Sequence, residues 1–237
     1  MTLKKRNLLE LCVICGKIYK KIAKEKDEHM EKENYKKGIQ ALYMMFLVWI
    51  VIECDFISAV LPNQILALGI SPVIWGIGAF FILNKMRKQN AGELYQTNDI
   101  FTGRDWLIIF FVVMGSISLC VRNYVYIGMR PLIIREFFSS YPLYTLRNIL
   151  YYPLEILLML ELLIYAQRAG DCLTQKSTIP WGALVLFFLW GLPHLYHGVT
   201  DGIVSALNAF IFAIPFYASG KKLKVSYISM LILWLLV

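Results

Sequence analysis

The sequence is short of charged residues. Among its 237 residues only 17% are Asp, Glu, Lys or Arg, whereas 58% are apolar, and the mean hydropathy is +0.58. A soluble domain is usually about one quarter charged. The composition therefore excludes an ordinary soluble enzyme and predicts a protein that crosses a membrane several times.

The sequence also lacks a cysteine framework. Its five cysteines are odd in number and irregularly spaced, which argues against a disulfide scaffold. Cys12 and Cys15 form a Cys-x-x-Cys pair, but neither a second pair nor a βαβ pattern accompanies it, as a zinc or redox site would require. We expect the thiols to be reduced and structural.

The positive charge is concentrated near the N-terminus. Residues 1–37 contain 11 of the 24 Lys and Arg residues and 6 of the 16 Asp and Glu residues, a net charge of +5. Apolar residues recur there at helical spacing, so the segment is either a basic amphipathic helix lying on an anionic membrane surface or a solvated helix. No aromatic or glycine-rich pattern is interleaved with the basic residues, and nucleic acid is therefore not an expected partner.

The remaining residues, 38–237, form the predicted transmembrane domain. A membrane-spanning helix requires about 20 mostly apolar residues. The sequence contains seven candidate runs, which are 38–60, 65–83, 106–121, 143–166, 181–199, 203–219 and a short last run at 225–237. We therefore predict an all-α, polytopic integral membrane helical bundle with about seven transmembrane helices.

The basic residues between these runs predict an orientation. With the N-terminus inside, the cytoplasmic segments are 1–37, 85–105, 167–180 and 220–224, with 11, 4, 2 and 3 Lys or Arg residues. The outer loops 61–64 and 200–202 contain none, and 122–142, with three arginines, is the exception. Because basic residues favour the cytoplasmic side, we predict a multi-pass cell-membrane protein with a cytoplasmic N-terminus.

Ionisable residues inside the apolar runs are candidate functional groups. Burying a charge in a bilayer costs at least ~2.5–3.5 kcal/mol, so such residues usually serve a function. At 1.5 Å per residue, Glu155 in the fourth run is level with His194 in the fifth, whereas Glu161 lies nearer the inner end. Glu161 is also nearly on the same helix face as Arg168, and a simple ion pair between them is the structural alternative.

The first run carries a further carboxylate pair. Glu53 and Asp55 come late in that run, near the predicted outer surface. We interpret them as interfacial carboxylates that meet Arg122 or Arg130, rather than as a functional site.

Two histidines and an aspartate form a candidate metal stripe. His194 and His197 are spaced i, i+3, and Asp201 follows His194 by seven residues. On one continuous helix all three share a face, and imidazoles with a carboxylate at this spacing can bind zinc or relay protons. The alternative is a histidine that only hydrogen-bonds between helices. Zinc is the predicted metal.

Two motifs lie in the C-terminal part of the chain, about residues 143–237: Glu161-Leu-Leu-Ile-Tyr-Ala-Gln-Arg168 and Phe188-Leu-Trp190-Gly-Leu-Pro-His194. They are similar to the first and second motifs of the CPBP family of intramembrane glutamate proteases, which this part of the chain resembles. That family includes the CAAX prenyl endopeptidase and bacteriocin-processing and immunity proteins. The sequence departs from the pattern in having no Glu-Glu dipeptide and no histidine in the last run.

The resemblance implies peptide hydrolysis in the membrane, on a peptide, a prenylated peptide or a membrane protein. Glu155 or Glu161 would activate a water as general base, and His194 with His197 would orient that water or hold the zinc. Arg168 would fix a carboxylate or the C-terminus of the substrate.

The missing motif favours an alternative, a non-catalytic immunity, assembly or binding factor with a membrane-protein partner. A proton-coupled transporter is less favoured, because such folds commonly contain inverted repeats and this sequence shows none. Membrane lipid is an expected partner in each case.

Overall fold

The computed structural model describes residues 30–54, 64–88, 101–128, 134, 142–196 and 198–236. These residues form seven helices, and the described ranges contain no strand. The helices are α1 Met30–Glu53, α2 Gln64–Lys88, α3 Gly103–Ile127, α4 Pro142–Thr174, α5 Trp181–Tyr196, α6 Val199–Ala218 and α7 Leu223–Leu236. The predicted all-α helical bundle is confirmed.

Five of these helices are long and apolar enough to cross a membrane, namely α1, α2, α3, α4 and α6. The other two, α5 and α7, are apolar but shorter. The bundle is therefore that of a membrane protein. Most of the basic segment 1–37, and Asp55 and Arg130 from the carboxylate-pair hypothesis, lie outside the described residues. Glu53 is exposed and accepts a hydrogen bond from the Trp49 indole of its own helix at 3.1 Å.

The fourth helix is the centre of the bundle. In the most apolar stretch of α4, 61% of the residues are buried, against 17–39% in the corresponding stretches of the other four long helices. Residues 158–167 are all buried, and α4 packs against α2, α5 and α7. Any polar side chain in this stretch is therefore enclosed by protein rather than by lipid.

The fifth helix does not keep α-helical geometry. Its α-helical part is Trp181–Leu186, which passes into a π-helical turn at Phe187–Gly191 and a 3-10 segment at Leu192–Tyr196. Pro193 lacks a backbone N–H and so removes one helical hydrogen bond in this region, but the departure from α-helical geometry already begins at Phe187. The run predicted at 181–199 is therefore helical over Trp181–Tyr196 only, with mixed helical geometry, and is shorter than predicted.

Two glycines set the path of the chain from α5 to α6. A Cβ on Gly191 would lie 2.5 Å from the Cα of Ala206, so glycine is required where α5 crosses α6. Gly198 has a φ of 150°, a backbone conformation that favours glycine. The chain thereby turns from α5 directly back into α6.

Candidate functional site

A carboxylate and an imidazole from different helices meet at one tryptophan. The Trp190 Nε1 donates a hydrogen bond to the Glu155 Oε1 at 3.3 Å. The His194 Nδ1 lies 2.7 Å from the Trp190 carbonyl oxygen, and the two rings are 4.8 Å apart. We refer to these three residues as the carboxylate–histidine cluster. Their contact agrees with the sequence-based depths, which placed Glu155 level with His194.

Aromatic rings hold the centre of this cluster in place. The Trp190 ring lies 5.9 Å from that of Phe212 in α6 and 5.5 Å from that of Trp234 in α7. Trp190 is only 3% exposed. Because two further helices pack on the indole, the fold sets the direction of its N–H, and that N–H orients the Glu155 carboxylate.

The hydrogen bond of His194 determines its tautomer. A backbone carbonyl oxygen can only accept, so Nδ1 carries the proton and Nε2 carries the lone pair of the neutral imidazole. Nε2 is thus the nitrogen suited to accept a proton. His194 is half-buried, whereas Glu155 is 6% exposed. The cluster therefore places its carboxylate in the interior and its imidazole nearer the surface of the bundle.

Glu161 lies apart from this cluster. Its side chain is fully buried, and neither carboxylate oxygen has a hydrogen-bond partner among the residues that the structure describes. The suggested ion pair with Arg168 is therefore not formed. Arg168 instead lines a cavity at the end of α4. The residues predicted to be catalytic therefore lie at three separate sites: Glu155 and His194 at Trp190, Glu161 alone in the interior, and Arg168 at the cavity.

The predicted zinc stripe is interrupted. His194 lies in the 3-10 segment, Asp201 is exposed in the first turn of α6, and Gly198 turns the chain between them. His197 lies outside the described residues. In the described ranges no three His, Cys, Asp or Glu side chains group as metal ligands. The prediction that these residues share one helix face is wrong, because the chain passes into a 3-10 segment at Leu192–Tyr196 and turns at Gly198 before α6 begins.

A second polar region joins four segments at the end of α4. The Gln167 Nε2 donates to the Asp171 Oδ1 at 2.7 Å and to the Ile179 carbonyl oxygen at 3.0 Å. Its Oε1 accepts from the Gly182 N–H at 3.1 Å and from the Tyr217 hydroxyl at 2.6 Å. Gln167 is 2% exposed. One amide therefore fastens α4, the following loop, the start of α5 and the end of α6.

A buried ion pair lies at the same end of the bundle. Lys222, just before α7, donates to the Asp105 Oδ2 at 2.5 Å, and the backbone N–H and hydroxyl of Thr102 donate to that oxygen at 2.7 Å each. The Arg104 Nη2 donates to the Ala218 carbonyl oxygen at 2.8 Å. These contacts tie the start of α3 to the turn between α6 and α7. We call the region formed by Gln167 with its partners and by the Asp105–Lys222 ion pair the polar end.

A cavity of about 160 Å³ opens at the polar end. Its polar lining includes Asn34 and Lys37 from α1, three residues of α4, and Lys221 from the turn before α7. The α4 residues are Gln167, Arg168 and Asp171.

Sequence reasoning missed two residues that organise these regions. Trp190 was noted only as an aromatic position in a motif, and Gln167 was not singled out. Gln167 was placed at the start of the predicted cytoplasmic segment 167–180, whereas α4 continues to Thr174 and encloses this amide, which in a membrane helix requires partners. The indole of Trp190 carried no comparable signal, because aromatic residues are common in such runs.

The chain matches no protein-family model, no curated protein and no solved structure.

Proposed function

We propose that the protein is a multi-pass cell-membrane hydrolase, with a cytoplasmic N-terminus, that cleaves a peptide bond in a peptide or lipid-modified peptide. The observation that carries this proposal is the shared contact of Glu155 and His194 with Trp190. Glu155 contacts the indole N–H of Trp190 and His194 contacts its backbone carbonyl, and a carboxylate and an imidazole are groups that general acid–base catalysis uses.

In this mechanism Glu155 is the general base. Its carboxylate takes a proton from a water molecule, and the water oxygen attacks the carbonyl carbon of the scissile amide. Collapse of the tetrahedral intermediate breaks the C–N bond, and the proton held by Glu155 passes to the leaving nitrogen. His194 accepts a hydrogen bond from the same water at Nε2 and orients it, while the Trp190 indole holds the carboxylate.

The choice between the two glutamates follows from their surroundings. Glu155 accepts a hydrogen bond from the indole N–H of Trp190, the residue whose carbonyl oxygen contacts His194. Glu161 has no hydrogen-bond partner in the described part of the chain. Geometry therefore favours Glu155 as the base, although Glu161 lies in the sequence that resembles the first family motif.

The test compares the ends of membrane peptides in cells. Wild type, Glu155→Gln, His194→Ala and Glu161→Gln are produced at matched membrane levels in a strain that lacks the gene. We expect new peptide termini with wild type and Glu161→Gln, and a rate reduced about 10²–10⁴-fold with the other two. Glu53→Gln, at an exposed carboxylate outside the cluster, is the control. Unchanged termini in Glu155→Gln cells contradict the proposal.

Zinc content gives an independent measurement. The sequence-based prediction is near-stoichiometric zinc in detergent-purified wild type and its loss in His194→Ala. Absence of zinc from both proteins would overturn the zinc prediction and would leave the glutamate mechanism, which uses no metal, in place.

The second candidate is a non-catalytic membrane factor that binds another membrane protein. The observation that favours it is the aromatic packing of Trp190, which is also what a purely structural hydrogen bond to Glu155 requires. In that case every variant above keeps its biological activity, and a membrane protein co-purifies with the chain in mild detergent.

A further inference from the structure

Glu161 is a buried carboxyl group that the proposed hydrolysis does not use. It is 0% exposed, and neither of its oxygens has a hydrogen-bond partner among the residues that the structure describes. A charge buried without a partner costs so much free energy that an ionisable group takes its neutral form instead. We therefore expect the Glu161 side chain to hold a proton.

Few titratable side chains lie in the interior together with Glu161. In the described ranges, the others that are buried are Asp105, Glu155 and Tyr165. The two carboxylates among them are already hydrogen-bonded. The buried residues that the structure describes in α1, α2, α5, α6 and α7 include no titratable side chain. On α4 itself, Tyr165 and the half-buried Arg168 follow Glu161 by four and seven residues and so lie on its face.

The cavity at the polar end extends to the helical turn next to Glu161. Along α4 its lining runs from Ile164 to Cys172. Ile164 follows Glu161 by three residues, which is about one turn and a rise of about 4.5 Å. The cavity measures about 160 Å³ and is lined mostly by polar side chains, so it has the size and polarity that water requires. The carboxyl group of Glu161 therefore lies about one turn beyond the inner end of a cavity suited to water.

We infer that Glu161 is a proton-binding site that exchanges its proton with solvent through this cavity. The ligand is the proton itself. On release the carboxyl O–H bond breaks and a water in the cavity becomes hydronium, and on binding the same step runs in reverse, so no further reactant is needed. The inference does not depend on the proposed hydrolysis, in which Glu155 is the base.

The first experiment labels the purified full chain with dicyclohexylcarbodiimide, an apolar reagent that reacts with protonated carboxyl groups. The carboxyl proton moves to a carbodiimide nitrogen, the carboxyl oxygen bonds to the central carbon, and an acyl shift to nitrogen leaves a stable N-acylurea. Peptide mass spectrometry locates this adduct. We expect it on Glu161, with a yield that falls as the buffer pH is raised, and its loss in Glu161→Gln. Glu53, an exposed glutamate, is the matched carboxyl group and should carry little adduct.

The second experiment measures exchange by infrared difference spectroscopy of wild type against Glu161→Gln. Transfer to D₂O shifts the carbonyl band of a protonated carboxyl group at the rate at which its proton exchanges. Ile164→Phe places a larger side chain at the inner end of the cavity and should slow this shift about tenfold, because exchange then requires a local opening. Ile149→Phe, the same substitution at a position of α4 that is 49% exposed, is the control.

The outcomes separate the proton site from its route. An adduct on Glu161 that responds to pH, with slower exchange in Ile164→Phe alone, supports the inference. Neither an adduct nor a carboxyl band means that Glu161 is ionised, which overturns it. An adduct yield that is independent of pH, or a band that does not shift in D₂O, also overturns it, because the proton is then not exchanged. Equal exchange rates in Ile164→Phe and Ile149→Phe overturn the route through the cavity.

Discussion

Asp105 and Glu161 are both buried carboxylates, yet their surroundings differ completely. Asp105 is 1% exposed and accepts hydrogen bonds from Lys222 and from two groups of Thr102. Glu161 is 0% exposed, and its oxygens find no hydrogen-bond partner within the ranges that the structure describes. Burial alone therefore does not define the role of a carboxylate. A buried carboxylate that is hydrogen-bonded to another helix fastens the two helices together, whereas a buried carboxylate without hydrogen-bond partners lowers stability.

The largest expected loss of stability is at Asp105, the carboxylate with several hydrogen-bond donors. Lys222→Met leaves Asp105 buried without its cation, and removal of one partner of a buried pair costs roughly 3–5 kcal/mol of the free energy of unfolding. Denaturant unfolding of the purified protein in detergent measures this. The double variant Asp105→Asn, Lys222→Met should recover most of the loss. If the single variant is as stable as wild type, the pair does not fasten α3 to α7.

A somewhat smaller loss is expected at Gln167. Gln167→Leu leaves the Gly182 N–H and the Tyr217 hydroxyl without their acceptor, and the expected destabilisation is about 2–4 kcal/mol. Gln40→Leu, at an exposed glutamine of α1, is the control and should change stability little. Equal unfolding midpoints for the two variants would show that the amide is not a structural junction.

The effect at Glu161 should have the opposite sign. Glu161→Leu removes a carboxyl group that has no hydrogen-bond partner, so we expect the free energy of unfolding to rise by about 1–3 kcal/mol. Thermal unfolding of the variant beside wild type checks this. A decrease in stability would mean that the carboxylate is satisfied after all, and the contrast with Asp105 would disappear.

The smallest effect concerns two tryptophans of the aromatic packing. Trp190→Phe removes the N–H that binds Glu155 and should cost about 0.5–1.5 kcal/mol more than Trp234→Phe. The indole N–H of Trp234 has no hydrogen-bond partner among the described residues, which makes it the matched comparison. Thermal midpoints of both variants test this, and equal shifts would contradict a specific role of the Trp190 N–H.

Apolar runs of about 20 residues predicted the helices well, because the cost of burying backbone in a membrane leaves the chain few alternatives. The failure at the fifth run has a local cause. The run contains a π-helical turn at Phe187–Gly191 and a 3-10 segment at Leu192–Tyr196, and Gly198 turns the chain just after it. A hydrophobicity count does not register that effect.

The sequence predicted the depth of Glu155 and His194 along their helices, but it did not predict that Trp190 contacts both of them. Helix rise placed Glu155 level with His194, and both contact Trp190. The role of Trp190 depends on packing from α6 and α7, which no local pattern contains. The junction at Gln167 is similar, since its partners come from four separate segments.

The shortness of α5 has a consequence for the surrounding bilayer. Its 16 residues would rise only about 24 Å as an unbroken α-helix, against a hydrocarbon core of about 30 Å. Lipids accommodate a short helix by thinning around it. We therefore expect the membrane to be thinner beside α5, which would bring water closer to His194, two residues from the end of that helix.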